Sequence, residues 1–303
     1  MQTKTTAKDF FLYVGVLITL YSGIGFLLNL LFGIIDHSFP PINSYFYQSS
    51  ISLQVAALIV LTPVFLLLSY LINKDAEADP TKKDLNIRRW FIFLTLFGTG
   101  ALVVGDLITI LYYFLDGRDL TSGFLLKAPS VLVVSGIVFG YYLSELRNKI
   151  SHRNVWRVGT LVGVLAVIVL AFSVIGSPAT QRQLRYDSQR LSDLQNIQSQ
   201  VLNYYQQKGE VPESLEGLND SLSHFVIPND PESGESYRFE KVSALSFKLC
   251  ANFDTESNER ELSQTMHYGM DVINDNWKHA AGQACFDRTI DPERYPVFEK
   301  PRL

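Results

Sequence analysis

Long runs of apolar residues, separated by short polar connections, dominate the first 176 residues of the chain. A helix needs about 20 apolar residues to cross a bilayer core that is about 30 Å thick. Five runs approach or exceed that length, and each is too apolar for a surface helix of a soluble protein. The pattern predicts a polytopic α-helical membrane bundle of five spans, over residues 10–35, 53–72, 90–115, 124–143 and 158–175.

Residues 177–303 show the mixed pattern of a small α+β domain. Apolar residues recur there at intervals of three and four positions, which predicts a long amphipathic helix over residues 178–207. Two short strands are predicted at residues 236–241 and 245–251, and residues 254–284 are predicted to be irregular. The expected architecture is a long helix packed on a short antiparallel sheet.

Charged side chains of the long helix are predicted to face solvent, where neighbouring residues form local ion pairs. The loop before the first strand carries further carboxylates, which could offer oxygen ligands to calcium but lack the spacing of an EF-hand. We interpret that loop as a solvated charged turn. The helix residues are Arg182, Arg185, Asp187, Arg190 and Asp193, and the loop residues are Asp230, Glu232 and Glu235.

Lysine and arginine residues fall in alternate connections, and this alternation predicts the orientation of the chain. The N-terminus and the loops after the second and fourth spans are basic. The loop after the first span contains no Lys or Arg, and the loop after the third contains only Arg118. We therefore expect a cell-membrane protein with a cytoplasmic N-terminus and an extracytoplasmic C-terminal domain, which requires an odd number of spans. The cytoplasmic basic residues are Lys4, Lys8, Lys74, Lys82, Lys83, Arg88, Arg89, Arg147, Lys149, Arg153 and Arg157.

The two parts of the chain also differ in charge. Residues 1–176 contain 13 Lys and Arg against 10 Asp and Glu, a net charge of +3, whereas residues 177–303 contain 13 against 20, a net charge of −7. An acidic outer domain argues against nucleic-acid binding, which needs clustered positive charge. We expect a four-span membrane domain at 1–157, a fifth transmembrane helix at 158–176 and the outer domain. The expected partners are the lipid bilayer, other envelope proteins and a second copy of the chain.

Asp106, Lys127 and Asn29 lie within the predicted spans, where an ionisable group costs about 3 kcal/mol on insertion scales. Asp106 lies inside the third span, and Lys127, one turn into the fourth, is the nearest basic residue across the hairpin. The two could form a proton or ion relay, or they could be structural, as a salt bridge or as a protonated Asp106 bonded to a neighbouring helix. We prefer the structural interpretation because one carboxylate makes a poor pathway. Asn29 is expected to hydrogen-bond between helices.

The two cysteines, Cys250 and Cys285, both fall in the outer domain, where an oxidising environment permits a disulfide. The bridge would stabilise the domain by roughly 3–4 kcal/mol in the chain-entropy model. The alternative, a thiolate nucleophile paired with His267 or His279, needs a free thiol in an oxidising compartment. A metal site built from His224, His267 and His279 is a weaker alternative because these residues are scattered across irregular segments.

Two motifs mark the ends of the four-helix segment at residues 10–147. They are Asp9-Phe10-Phe11-Leu12-Tyr13 and Ser135-Gly136-Ile137-Val138-Phe139-Gly140-Tyr141-Tyr142-Leu143. With them, the segment resembles an uncharacterised four-helix bacterial membrane domain, a domain of unknown function that is common in candidate-phylum bacteria with small genomes. The resemblance implies a fold and brings no activity or catalytic residue.

A second set of motifs lies within residues 181–251. The stretches are Asp193-Leu194-Gln195-Asn196-Ile197-Gln198, Tyr204-Tyr205-Gln206-Gln207-Lys208-Gly209-Glu210-Val211-Pro212-Glu213-Ser214-Leu215 and Asp230-Pro231-Glu232-Ser233-Gly234-Glu235-Ser236-Tyr237. They resemble the globular part of type IV pilin-like and pseudopilin proteins, in which a long helix packs on a small antiparallel sheet. Pilins carry a glutamate near the start of their hydrophobic helix, whereas the span at 158–175 contains no carboxylate. The resemblance implies a pilin-like ectodomain on a multispan anchor, not a pilus subunit.

The sequence contains no motif of nucleotide binding, serine hydrolysis, metalloprotease catalysis or dinucleotide binding. We therefore expect a protein that is not an enzyme and uses no cofactor. The preferred hypothesis is an outer domain that binds or scaffolds a partner at the cell surface. The second is a channel, transporter or transporter subunit that uses Asp106 and Lys127. The third is a sensor that signals through the fifth span.

Overall fold

The computed structural model describes residues 6–39, 51–79, 85–117, 120–147, 153–219, 225–257 and 277–298. The chain divides into two compact units, which we call the helical unit (Met1–Ser177) and the C-terminal unit (Pro178–Leu303). Some residues of the predicted basic loops and of the histidine set lie outside the described ranges: Lys4, Lys82, Lys83, Arg118, Lys149, His224 and His267.

Within the described ranges, five helices are long and apolar enough to cross a membrane, which confirms the five predicted runs. Those of the helical unit are α1 (Ala7–Ser38), α2 (Ser52–Ala78), α3 (Asn86–Leu115), α4 (Ser122–Leu146) and α5 (Arg153–Ile175). Each extends past its apolar run because polar residues at the ends remain helical. At the start of α1, Thr6 and Asp9 form a capping box in which each side chain accepts the other's backbone N–H at 3.2 Å.

Ion pairs near the helix ends join neighbouring helices of this unit. Lys8 of α1 lies 2.6 Å from Asp75 of α2, and Arg88 of α3 lies 2.8 Å from Glu145 of α4. The side chains of Arg88 and Glu145 are almost buried, so loss of either one would leave a poorly solvated charge. The Arg88–Glu145 pair therefore helps to hold the α3–α4 hairpin together, whereas the exposed Lys8–Asp75 pair contributes little.

The C-terminal unit packs one long helix, α6 (Pro178–Lys208), on a three-stranded antiparallel sheet. The strands β1 (Arg238–Lys241), β2 (Ser246–Phe253) and β3 (Gly282–Thr289) lie in the order β1-β2-β3. The helix and the first two strands confirm the prediction. The predicted irregular segment at 254–284 was wrong at residues 282–284, because β3 begins at Gly282 and pairs with β2, and residues 258–276 of that segment lie outside the described ranges. The core contains Leu194, Ile197, Val201, Tyr205, Phe247, Leu249, Phe253, Trp277 and Phe286.

Arg190 of α6 is the centre of a buried ion cluster in the C-terminal unit. Its side chain is only 3% exposed, and its guanidinium nitrogens contact four carboxylates. The distances are 2.8 Å to Asp187, 2.6 Å to Asp230, 2.7 Å to Glu232 and 2.8 Å to Asp254. One guanidinium therefore joins the helix to the loop before β1 and to the end of β2.

The cluster corrects the predicted solvated face of α6. Asp187, Arg190 and Asp193 are buried, whereas Arg182 and Arg185 are exposed as expected. The prediction failed because the compensating groups come from distant parts of the sequence, and a paired charge can be buried where an isolated one cannot. Asp193 is compensated in the same way, since it accepts a hydrogen bond from the Tyr237 hydroxyl at 2.8 Å.

The same contacts keep Asp230 ionised. Burial works against the charged form of this carboxyl, but hydrogen bonds from Arg190 and from the backbone N–H groups of Ser233 and Glu232 outweigh it. Together they lower the pKa of Asp230 from 3.8 to about 2. The carboxylate therefore stays charged, and paired with Arg190, well into the acidic range.

Cys250 of β2 and Cys285 of β3 are directly opposite residues of the paired strands. Their Sγ atoms lie at disulfide distance, which confirms the bridge predicted from the sequence. His279 stacks on Phe253 with ring centroids 3.6 Å apart, and burial lowers the pKa of its imidazole. This packing favours a core histidine over a catalytic base or a metal ligand.

Replacing Arg190 with Leu should destabilise the C-terminal unit by about 3 kcal/mol, because buried carboxylates lose their counter-charge. Hydrogen–deuterium exchange of the full-length protein in detergent should then be roughly a hundredfold faster in peptides from residues 178–298. The matched control is Arg185→Leu, which removes an exposed arginine from the same helix. Equal exchange in the two variants would contradict the role of the cluster.

Replacing both cysteines with Ser should destabilise the C-terminal unit by roughly 3–4 kcal/mol, because the bridge closes a loop between residues 35 positions apart. The same exchange measurement checks this, and reduction of the wild-type protein should reproduce the variant. Alkylation followed by mass spectrometry should label both thiols only after reduction. Full labelling of the native protein without reductant would show that the bridge is not formed.

Candidate ligand cavity in the helical unit

A cavity of about 500 Å³ lies among α1, α2, α4 and α5 and is partly open to the outside. Its volume falls within the ~300–1,000 Å³ that is typical of small-molecule sites. Voids larger than a water molecule are few in well-packed interiors, so a cavity of this size is a candidate binding site. Apolar residues of its walls include Leu27, Leu58, Phe65, Val138 and Val164.

Hydroxyl groups in the walls add little polarity to the cavity. The hydroxyl of Thr19 donates to the carbonyl of Gly15 at 2.8 Å, and that of Thr160 donates to the carbonyl of Trp156 at 2.9 Å. A threonine that bonds its own helix in this way has satisfied its donor. The hydroxyls are thus used within the helices, and the cavity is lined mainly by hydrocarbon.

Three glycines border open space in the cavity. Gly23 of α1 and Gly159 and Gly163 of α5 line the cavity, and a Cβ added at any of them would meet no atom within 4 Å. Glycines four residues apart, as in α5, often allow two membrane helices to pack closely. Here the glycine face of α5 lines a void instead, so the missing side chains leave room for a ligand.

The end of the cavity near the start of α5 is polar and aromatic. Asn73, Tyr141, Trp156 and Arg157 line it. The rings of Tyr141 and Trp156 meet edge to face with centroids 5.3 Å apart. Arg157 donates to the side-chain carbonyl of Asn154 at 3.1 Å, and its guanidinium lies 5.4 Å from the ring centroid of Tyr70.

This arrangement suits an elongated ligand with one polar end. The α2 residues that line the cavity extend from Leu58 to Asn73, about 22 Å at 1.5 Å per residue. That length exceeds the ~15 Å of hydrocarbon in one leaflet of a bilayer. The walls offer apolar contact, and the polar end offers guanidinium, phenol and amide groups. These are the elements of a binding site for an amphipathic molecule.

The structure does not join Asp106 to Lys127. Lys127 of α4 instead lies 2.6 Å from Asp36, in the last turn of α1. Asp106 borders a shallow groove on α3 with Gly98 and Gly105, and its Oδ2 atom is buried without a hydrogen-bond partner in the described part of the chain. The expected pairing was wrong because α1 continues to Ser38 and brings Asp36 within reach of Lys127.

Asn29 also differs from its expected role. Its side-chain amide donates to the carbonyl of Gly25 at 2.9 Å, within α1, and not to a neighbouring helix. The predicted intramembrane polar residues thus form no common site. The cavity was not predicted, although the Gly159-x-x-x-Gly163 spacing and the arginines before it were visible in the sequence.

Part of the cavity lining belongs to a segment that matches a known family model. The family model described as "Domain of unknown function (DUF5671)" matches residues 9–142. No curated protein and no solved structure matches the chain. The matched residues include most of α1, α2 and α4, which line the cavity, whereas α5 lies beyond them.

Proposed function

We propose that the protein is a multi-pass membrane protein whose helical unit holds a lipid-like molecule and whose C-terminal unit is extracytoplasmic. The observation that carries the proposal is the apolar, glycine-lined cavity with one polar end. The proposal requires no catalysis and no cofactor. In this proposal the C-terminal unit acts as a binding or scaffolding domain.

The outer surface of the helical unit supports a membrane location. Large apolar side chains are exposed on it, including Trp90 and Phe97 of α3, at 77% and 76%, and Val162 of α5. Soluble monomers rarely expose apolar patches of such extent, whereas lipid solvates them. The basic residues near one end of the bundle favour a cytoplasmic position for that end.

The orientation can be tested by adding protease to sealed right-side-out and inside-out vesicles that contain the full-length protein. The C-terminal unit should be digested only in right-side-out vesicles, because α5 carries the chain from a basic loop to the opposite face. Detergent-permeabilised vesicles of both kinds provide the accessibility control. Digestion confined to inside-out vesicles would reverse the topology and remove the surface role of the C-terminal unit.

The cavity can be tested by filling it. Gly163→Leu places a side chain in the open space of the cavity, whereas Gly136→Leu makes the same change at an open, exposed α4 position that does not line it. Lipids that copurify in mild detergent should be quantified per mole of protein by mass spectrometry. The first variant should lose at least half of the tightly retained lipid, and the second should match the wild type. Equal retention in all three proteins would contradict the proposal.

A transport role has less support. The relay hypothesis paired Asp106 with Lys127, but Lys127 is neutralised by Asp36. The cavity offers instead a site that retains a molecule within the bundle.

A further inference from the structure

Two arginines near the polar end of the cavity lack a carboxylate partner among the described residues. Arg153 and Arg157 are four residues apart on α5 and therefore lie on one face of that helix. Arg153 donates to the side-chain carbonyl of Asn73, which lines the cavity. Arg157, itself a lining residue, donates to that of Asn154 at 3.1 Å. Amide oxygens satisfy hydrogen bonds, but among the described residues no carboxylate lies within ion-pair distance of either arginine.

Other basic residues of the helical unit are paired differently. Lys8, Arg88 and Lys127 each contact a carboxylate on another helix. Glu145, the carboxylate near the end of α4, is only 2.8 Å from Arg88 and is therefore engaged. Lys74 and Arg147 also lack a carboxylate partner among the described residues, but both are exposed, whereas Arg153 and Arg157 are half-buried beside the cavity. The charge of a half-buried cation is less screened than in bulk water, so the two arginines would gain from an anionic partner.

The surroundings of the two arginines indicate what kind of anion fits. Tyr141 and Trp156 line the cavity beside Arg157, and such amphipathic rings favour the headgroup level of a membrane. The apolar walls continue from this end for about 22 Å along α2. A soluble anion would use the arginines but leave the apolar walls empty. An anionic amphiphile would use both.

We propose that the cavity binds an anionic lipid, with its acyl chain along Gly159 and Gly163 and its phosphate at Arg153 and Arg157. This inference rests on the proposed lipid-holding function and adds the chemistry of the headgroup. A guanidinium suits a phosphodiester because its planar N–H groups can bond two phosphate oxygens at once. The headgroup contacts come from α5, so they lie outside the DUF5671 match.

Native mass spectrometry of the full-length protein in neutral detergent tests the proposal. The probes are phosphatidylglycerol and phosphatidylcholine with identical acyl chains, and inorganic phosphate alone. The wild type should bind phosphatidylglycerol about tenfold more tightly than phosphatidylcholine. Arg157→Gln, and Arg153→Gln to a smaller degree, should remove this preference while keeping the affinity for phosphatidylcholine, which shows that the variants remain folded.

Arg147→Gln is the matched control, since Arg147 is an exposed arginine at the same end of the bundle that does not line the cavity. It should keep the tenfold preference. An equal loss in Arg147→Gln and Arg157→Gln would reduce the effect to general surface charge and overturn the proposal. Tight binding of inorganic phosphate that depends on Arg157 would overturn it too, in favour of a soluble anion.

The lipid-holding function and the preference for an anionic headgroup can fail separately. If both lipids bind equally and Gly163→Leu abolishes both, the headgroup proposal is overturned while the lipid-holding function stands. If neither lipid binds saturably to the wild type, the lipid-holding function fails and the headgroup proposal fails with it. A preference for phosphatidylglycerol that is lost in both Gly163→Leu and Arg157→Gln supports both.

Discussion

The need to compensate charge in apolar surroundings governs both units of the protein. In the helical unit, Arg88 is kept in an almost buried position by Glu145 from another helix. In the C-terminal unit, four carboxylates from the helix, a loop and a strand end converge on Arg190. In each case the cost of burying an ion is met by a partner that is remote in sequence. The fold must form before these charges are tolerated.

This constraint explains which parts of the fold could be predicted. The length of an apolar run is a local property, and all five long helices follow from it. The burial of Arg190 is not local, because Asp230 and Asp254 are 40 and 64 positions away. A weak signal existed, since Asp187 and Arg190 continue the spacing of the apolar stripe through Leu194. The prediction placed both residues in solvent because they are charged, although their spacing places them on the buried face of the helix.

The third strand and the cavity escaped prediction for different reasons. Residues 282–289 form a strand because β2 provides a paired edge, and Cys285 lies directly opposite Cys250. A predicted bridge between two cysteines could have indicated a strand at the second one. The cavity depends on glycines, which permit either close helix packing or open space. Only the arrangement of the helices decides between these outcomes at Gly159 and Gly163, and here it leaves space.

The family match ends before α5, so the walls of the cavity come from two different segments of the chain. The segment that matches the DUF5671 model contributes three walls, among them the apolar face of α2 from Leu58 onward. The fourth wall, α5, contributes two of the three open glycines and both arginines, which have no carboxylate partner in the described part of the chain. The shape of the cavity along the acyl chain of the proposed lipid therefore depends on both segments. The positive charge that would select the headgroup comes from α5. A DUF5671 domain joined to a different fifth helix could keep the apolar walls and lose the preference for an anion.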